Sequence, residues 1–478
     1  MPTARLNAPA RASLFYTLGG VLSRGAAFLL TPIVTRLLTP ADYGAYSLFN
    51  AMLSALTVIG TLDICGSVFW RSMQKFADER FSLLRSALIL ISICSGGAML
   101  LFIPFYRLIW QGELFRGGLI FLFIALISNA TVNLYSTACK YSCRYAFVLA
   151  STVIMGIVAP AAACLAAIRA QDSETALVAR VGVSTIVGAV FALGALVYII
   201  SGRGALALGK GVEKHRRTLS HIKYLLSLAL PMLPYYISLS IIAQSDKLII
   251  SRALGEGALG AYAVAHSAGS ALTALSAGVC TSLAPWIMRK ARAGESGAIR
   301  RALGTGLSVA APLSLCILCA APEVFAFLAP SGYTVGLSSV YPLTLSSIPL
   351  LLSSLITSAT LTYERTPGIL ISGITPAILS LMLNIVFVGK AGIFAAGVIS
   401  LISYTVMLFI SSSVFKKISG KSIISVNKTL HIFLICVFFA LAVYAFRDSV
   451  AARAFLLILP LSALGINAFR ARDLLREK

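Results

Sequence analysis

Acidic side chains are scarce in this chain of 478 residues. It holds 16 Asp and Glu against 39 Lys and Arg, and charged residues of both signs make up only 12% of the total. A soluble globular protein carries about 25% charged residues, so that class is excluded. The sequence also lacks the Asp-x-Asp pair of a membrane glycosyltransferase, the large outer loop of a ligase and a His-centred phosphatase signature. These absences predict a protein that is not an enzyme.

Cysteine pairs that hold metal ions are missing as well. The nine cysteines are scattered, mostly within apolar runs, and Cys316-x-x-Cys319 has no second pair nearby. Structural zinc sites of this spacing use two such pairs. We therefore expect the cysteines to be small packing residues, and we expect no cofactor.

Long apolar runs fill the chain, which is 58% hydrophobic and has a mean hydropathy of +0.92. Runs of about 18 to 25 residues can cross a hydrocarbon core of roughly 30 Å as helices, and barrel strands would be shorter and alternating. The sequence predicts an all-α polytopic membrane protein with about 14 transmembrane helices. The predicted spans are 13–36, 43–66, 82–103, 117–138, 146–168, 177–200, 229–252, 258–284, 303–328, 337–362, 367–388, 391–414, 429–446 and 453–470.

The net charge of +23 lies mostly in the segments between these spans. With a cytoplasmic N-terminus, inside segments hold 28 of the 39 Lys and Arg residues, as the positive-inside rule requires. Arg5 and Arg11 precede an apolar run without a cleavage site, so we expect a retained first helix. We predict a bacterial inner-membrane protein with both termini in the cytoplasm. Its basic loops face anionic membrane lipids, and nucleic acid is not expected as a partner.

The chain repeats itself at a distance of 216 residues. Residues 31–71 align without a gap on 247–287, and Gly44-Ala45-Tyr46 falls on Gly260-Ala261-Tyr262. Six spans separate the copies, so both run in the same direction through the membrane, as in some transporters. The sequence thus predicts two parallel six-helix repeats that form two lobes, plus a C-terminal helix pair. The expected parts are an N-lobe (1–200), a basic cytoplasmic linker (201–228), a C-lobe (229–414) and the last two spans with the tail (415–478).

Three cations lie at membrane depth: Arg24, Arg180 and Lys247. Each costs about 2.5–3.5 kcal/mol at a helix centre on the insertion scale, so such residues are usually kept because they line water or bind a ligand. Arg24 and Lys247 fall on equivalent faces of the two repeats, which predicts a hydrated, cationic cavity between the halves. Arg180 lies near the outer surface, where it either lines this cavity or extends to the interface.

Further polar residues share these helix faces. Gln244 is one turn from Lys247, and Asn50 aligns with His266 across the repeat. We include Asn50, Gln244 and His266 among the candidate substrate-binding residues. Polar stripes also serve helix–helix packing in membranes, and a single histidine is often a hydrogen-bonded core residue. A substrate-binding role and a packing role therefore both stay open for these residues.

Two acids, Asp63 and Asp246, accompany these candidates. Asp246 adjoins Lys247, and Asp63 lies two turns before Arg71, so each acid either partners a cation or titrates in a wet cavity. In the second case the two acids would couple transport to an H⁺ or Na⁺ gradient.

The opening TLGGVLSRGAAFLLTPIVTRLLTPADYGAYSLF, continuing to the acid in GTLD, resembles the start of Wzx-type polysaccharide flippases. The run QSDKLIISRALGEGALGAYAVA resembles the seventh and eighth helices of the same family. That family belongs to the MOP superfamily, together with the MATE multidrug exporters and the lipid II flippases.

The resemblance implies two six-helix bundles that move an undecaprenyl-diphosphate-linked oligosaccharide to the outer leaflet by alternating access, for surface polysaccharide synthesis. It implies that Arg24 and Lys247 contact phosphate or acidic sugar, and that a polysaccharide polymerase or co-polymerase is a partner. The two added spans resemble lipid II flippases, which leaves the substrate class open. A MATE-like exporter of cationic drugs needs an acidic cavity, whereas this one has three cations and two clear acids.

Overall fold

The computed structural model describes residues 8–109, 117–142, 145–201, 214–269, 271–363 and 366–476. Within these ranges the chain is helical, and no strand is present there. Ten helical segments in the described part are long and apolar enough to cross a membrane, and two shorter apolar stretches, Gly25–Leu37 and Thr429–Ala445, lie in two further helices. The predicted all-α membrane class is confirmed, whereas the fourteen spans and the repeats stay predictions.

The chain divides into two compact units, Met1–Ser240 (unit 1) and Ile241–Lys478 (unit 2). The boundary falls within one long helix, α9 (Lys214–Leu254). The lobe and linker limits predicted from the sequence stay predictions. The helices that precede α9 are α1 Ala8–Leu37, α2 Pro40–Thr61, α3 Phe69–Lys75, α4 Arg80–Ile109, α5 Gly118–Tyr141, α6 Tyr145–Val153, α7 Ala159–Ile168 and α8 Ser173–Ser201. The helices from the boundary onward are α9 Lys214–Leu254, α10 Glu256–Gly269, α11 Ala271–Arg292, α12 Ser296–Cys319, α13 Ala321–Leu328, α14 Leu337–Leu361, α15 Thr366–Ser419, α16 Val426–Ala445 and α17 Val450–Arg476.

The second helix ends earlier than the sequence predicts. After Thr61, both Leu62 and Asp63 take left-handed backbone angles, with φ of 50° and 45°, and a π-helical turn, Ile64–Val68, leads into α3. Left-handed angles cost roughly 1–2 kcal/mol for each residue that has a Cβ, and they stop a right-handed helix. The span predicted at 43–66 is therefore wrong at its C-terminal end.

Two other predicted spans change in the structure. The span at 303–328 is split, because α12 ends at Cys319 and Pro322 lies in the first turn of α13. Proline lacks the backbone N–H that a continuing helix needs, but it suits a first turn. The spans at 367–388 and 391–414 lie in one helical element, which breaks at Gly392 (φ 71°, ψ −163°).

A shared apolar core holds unit 1 together. Phe69 and Met73 on α3, Leu83 on α4 and Leu134 on α5 are completely buried. Leu225 in the first half of α9 joins the same cluster. Burial of such side chains stabilises a fold by about 1.5–3 kcal/mol each, so the cluster anchors the start of α9 to unit 1.

Serine and threonine side chains fill the middle of unit 2. On α14, Thr344 Oγ1 donates to Val340 O at 2.8 Å, Ser346 Oγ to Leu343 O at 2.7 Å and Ser347 Oγ to Thr344 O at 2.6 Å. Each of these hydroxyls thus donates its hydrogen bond to a backbone carbonyl of its own helix. They are small enough for close helix packing, which is the structural use that such residues have in membranes.

Polar anchors near both ends hold α17 along α12. The guanidinium of Arg453 donates to Cys319 O at 2.8 Å and to both carboxylate oxygens of Glu323 at 2.5 Å. Near the other end of α17, Asn467 Nδ2 donates to Ser308 O at 2.9 Å. The final helix is thus fastened to unit 2 by hydrogen bonds as well as by apolar contact.

Candidate functional site

A polar cavity of about 190 Å³ lies within unit 2, bordered by α9, α10, α11, α14 and α15. Each water molecule takes about 30 Å³ in the liquid, so the cavity holds several. Four of the eight candidate residues predicted from the sequence line it. The polar residues of its lining are Gln244, Asp246, Lys247, His266, Thr273, Ser346, Ser400 and Tyr404.

The carboxylate of Asp246 is buried, and each of its two oxygens accepts a hydrogen bond. One oxygen, Oδ1, accepts the backbone N–H of Lys247 at 2.8 Å, and Oδ2 accepts the Tyr262 hydroxyl at 2.5 Å. The side chain of Ser400 makes a further hydrogen bond with Tyr262. Buried polar groups are stable when they are paired in this way. The contacts join α9, α10 and α15 on one side of the cavity.

The ammonium group of Lys247 keeps unused hydrogen-bonding capacity. It donates one hydrogen bond, at 2.8 Å, to Oε1 of Gln244 on the preceding turn. A lysine ammonium has three donors, and no other side-chain acceptor contacts it in the described part of the chain. Two N–H groups of a cation that lines a cavity are therefore available to a bound anion.

Neutral polar groups complete the lining. Tyr404 on α15 and His266 on α10 both face the cavity, and the His266 ring lies 6.4 Å from that of Tyr262. No hydrogen-bond partner contacts the Tyr404 hydroxyl or the His266 ring nitrogens in the described ranges. A few placed polar groups among apolar walls are typical of sites that bind small polar molecules.

Arg180 occupies a different environment, within unit 1. It is only 8% exposed, so its side chain does not extend to the surface. Its Nη1 donates to Cys164 Sγ at 2.9 Å and its Nη2 to the Tyr46 hydroxyl at 3.3 Å, while the guanidinium lies 4.6 Å from the centre of the Tyr46 ring. Arg180 thereby links α2, α7 and α8 through neutral partners.

The other three candidates lie in or near the first two helices. Asn50 donates to Tyr46 O of its own helix at 2.8 Å, and Asp63 accepts a hydrogen bond from Tyr236 on α9. Because of the left-handed break, Asp63 does not share a helical face with Arg71 as the sequence suggests. Arg24 lies in α1, but its side chain lies outside the described residues. The roles of these residues stay predictions.

Sequence reasoning missed three tyrosines that shape these environments. Tyr46 and Tyr262 are the last residues of the repeated Gly-Ala-Tyr triplets, and that repetition was the signal that could have found them. Tyr404 and Ser400 are one turn apart on an apolar helix, a pattern that carries no functional signal by itself. Only the packing of α15 against α14 and α10 brings them to the cavity.

Comparison with known proteins gives the chain a family and a fold. Residues 10–290 match the model of a family described as "Polysaccharide biosynthesis protein". No curated protein matches the chain closely enough in sequence to count as a relative.

The structure is similar to solved transporters at low sequence identity. The lipid II flippase MurJ in an inward closed conformation matches with a TM-score of 0.68 and 13% identity, over 98% of this chain and 99% of MurJ. A MATE protein in complex with MaL6 matches with a TM-score of 0.59 and 13% identity, over 86% and 96%. A MOP superfamily transporter from Pyrococcus furiosus, described as having a binding pocket of reversed polarity, matches with a TM-score of 0.57 and 13% identity, over 85% and 95%.

These structural likenesses show the fold, which is that of MurJ and the MATE transporters. The family model spans more than half of the chain, and its match covers the N-terminal motifs that predict a Wzx-type protein. The chain therefore belongs to the polysaccharide biosynthesis protein family.

Proposed function

We propose that the protein is a flippase that moves a lipid-linked oligosaccharide from the cytoplasmic to the outer leaflet by alternating access. A diphosphate headgroup does not cross hydrocarbon unaided, because burial of an unpaired ion costs tens of kcal/mol in the idealised limit. A cationic, hydrated site replaces part of the lost hydration. The observation that carries the proposal is the Lys247 ammonium, which lines a polar cavity with two unused N–H donors.

The same observation disfavours a MATE-like exporter of cationic drugs. Such a cargo needs an acidic site, but the one acid among the described lining residues, Asp246, lies beside the Lys247 ammonium. The nearby ammonium would repel a second cation. Membership of a polysaccharide biosynthesis family favours a glycan over other lipid-linked cargo.

The remaining parts of the proposal follow from the sequence. We place the protein in the bacterial inner membrane with both termini in the cytoplasm, working as a transporter and not as an enzyme. Asp63 and Asp246 are the candidate sites for coupling to H⁺ or Na⁺. Membrane lipids surround the protein, a polysaccharide polymerase or co-polymerase takes up the product, and nucleic acid is not a partner.

Replacing Lys247 tests the proposal. Lys247→Ala in the native host should abolish surface polysaccharide at a normal protein level, while the lipid-linked precursor accumulates on the cytoplasmic side of the membrane. The matched control is Lys390→Ala, which removes an exposed lysine of unit 2 and should leave both readouts unchanged. Full surface polysaccharide in the Lys247→Ala strain would refute the proposal.

A further inference from the structure

An exposed tryptophan lies at a repeated position of the chain. The sequence holds only three tryptophans, and Trp70 aligns with Trp286 at the repeat distance of 216 residues. Trp70 lies on α3, whose other aromatic residue, Phe69, is completely buried in the core of unit 1. The side chain of Trp70 instead stays 39% exposed. A large part of its surface is therefore available to a ligand.

Two neighbours hold the Trp70 ring in place. The ring of Tyr141, at the end of α5, lies 5.3 Å from it in an edge-to-face arrangement. Such aromatic pairs are stabilising beyond the area that they bury. The Arg80 guanidinium lies 5.1 Å from the centre of the Tyr141 ring, within the range of a cation–π contact. The indole is therefore oriented by protein contacts before any ligand arrives.

Charged groups beside Trp70 indicate that it faces water rather than lipid tails. The Asp63 carboxylate lies over Gly66, where a Cβ would clash with it. Gly66 precedes Trp70 by about one helical turn, and Cys65 lies within electrostatic range of both Asp63 and Lys140. Ionisable residues at membrane depth almost always face the interior of the bundle or a water-filled space. This side of α3 is therefore hydrated.

The backbone that leads into α3 is strained. Leu62 and Asp63 both have left-handed angles, and the turn that follows them is π-helical. Strained residues cluster at functional sites, and π-helical turns are frequent there as well. The break sets the direction of α3 and with it the position of Trp70.

Hydrogen-bonding groups next to the indole have no hydrogen-bond partner in the described part of the chain. They are the Tyr141 hydroxyl, the Lys140 ammonium and the indole N–H of Trp70 itself. A sugar ring has a face of C–H groups and an edge of hydroxyls, so it can use the indole and these polar groups together. An acyl chain would use only the indole, and a bare phosphate only the polar groups. The combination therefore fits a sugar.

We infer that the surface around Trp70, which we call the unit 1 platform, binds one neutral hexose ring of the glycan. The apolar face of the ring packs on the indole, and Tyr141 and Lys140 bond its hydroxyls. The inference rests on the proposed function, because it takes a glycan as the cargo. The platform follows the second and fourth predicted spans, on the side predicted to be cytoplasmic, where the glycan is loaded. Its role is separate from that of Lys247.

Fluorine NMR on the full-length protein in lipid nanodiscs tests the unit 1 platform. Protein labelled with 5-fluorotryptophan should give one resonance for each of its three tryptophans, and Trp70→Phe assigns the Trp70 signal by its absence. Methyl β-D-galactopyranoside, the neutral sugar probe, should shift this signal until it saturates. Glycerol, which has hydroxyls but no ring face, should not shift it. No shift with the sugar, or an equal shift with glycerol, would overturn the platform.

Paramagnetic agents distinguish the platform from a membrane anchor. A water-soluble gadolinium chelate should broaden the Trp70 signal more than a spin-labelled lipid does, because the platform faces water. Stronger broadening by the lipid would make Trp70 a membrane anchor only and would overturn the platform.

A second variant tests the polar contact. Tyr141→Phe keeps the aromatic pair but removes the hydroxyl, so the Kd for the sugar probe should rise about fivefold, as expected for one lost neutral hydrogen bond. Tyr198→Phe, at a tyrosine that is 53% exposed on α8, should leave the Kd unchanged. An unchanged Kd in Tyr141→Phe would overturn the contact assigned to Tyr141. The export assay on Lys247→Ala judges the flippase separately, so failure of the platform would leave the flippase standing.

Discussion

Tyr262 donates a 2.5 Å hydrogen bond to the buried carboxylate of Asp246. The tyrosine that aligns with it 216 residues earlier, Tyr46, instead receives a hydrogen bond from the buried guanidinium of Arg180. The aligned residues thus serve groups of opposite charge, one as donor and one as acceptor. A phenol hydroxyl can fill either role, so the same residue type stabilises two different electrostatic environments.

Removing the Tyr262 hydroxyl should weaken unit 2. Tyr262→Phe keeps the buried ring but leaves one Asp246 oxygen without its donor, at a cost of about 1.5–3 kcal/mol, the range for hydrogen bonds to charged groups. Thermal unfolding in detergent should show a lower Tm. Tyr198→Phe, which alters a tyrosine that is 53% exposed, should leave the Tm unchanged. An equal Tm in wild type and Tyr262→Phe would show that the bond is not formed.

Neutralising the two acids should change how transport depends on ions. Asp63→Asn and Asp246→Asn keep the size of each side chain but remove the group that binds H⁺ or Na⁺. Transport by the variants in vesicles should lose its response to an imposed pH or sodium gradient while protein levels stay normal. An unchanged response in either variant would exclude that acid from coupling.

The break inside α15 should not tolerate a side chain at Gly392. Its angles (φ 71°, ψ −163°) fall in a region that is essentially restricted to glycine, so Gly392→Ala should cost about 1–3 kcal/mol. Gly389→Ala, three residues earlier, is the control, because a Cβ there meets open space and the backbone is not left-handed. Comparable Tm values for the two variants would contradict the left-handed turn.

The ion pair between Glu323 and Arg453 should make the stability of the fold depend on pH. Hydrogen bonds from the Arg453 guanidinium hold the pKa of the Glu323 carboxylate below its ordinary value of 4.5. Since this pKa is lowered in the folded state, the stabilisation is present above about pH 4.5 and is lost as the pH falls through the folded pKa.

Thermal unfolding at pH 7 and at acidic pH checks this dependence. Glu323→Gln should lower the Tm at pH 7 by the equivalent of about 1–2 kcal/mol, a modest effect because Glu323 is half exposed. The Tm difference between variant and wild type should shrink toward low pH. Asp448→Asn, at a carboxylate that is 93% exposed, serves as control; a difference that persists in acid would show that the ion pair is not its cause.

Helical spacing predicted part of the unit 2 site. Gln244 and Lys247 are one turn apart, so any helix places them on one face, and His266 follows from its alignment with Asn50. Tyr404 could not be predicted, because nothing in a local pattern tells which face of α15 meets α14 and α10. Apolar runs also predicted continuous helices at 43–66 and 303–328. The structure breaks the first at two residues with left-handed backbone angles. It breaks the second before a short helix that has a proline in its first turn.

The amino-acid sequence alone determined the membrane class, the helical fold and the family, since a helix that crosses lipid must be long and apolar and must satisfy its own backbone. Tertiary structure decided which buried charges meet. Lys247 and Arg180 are equally cationic in the sequence, yet one lines a polar cavity and the other is enclosed by a tyrosine and a cysteine. That difference arises from contacts between helices far apart in the chain, which local patterns do not encode.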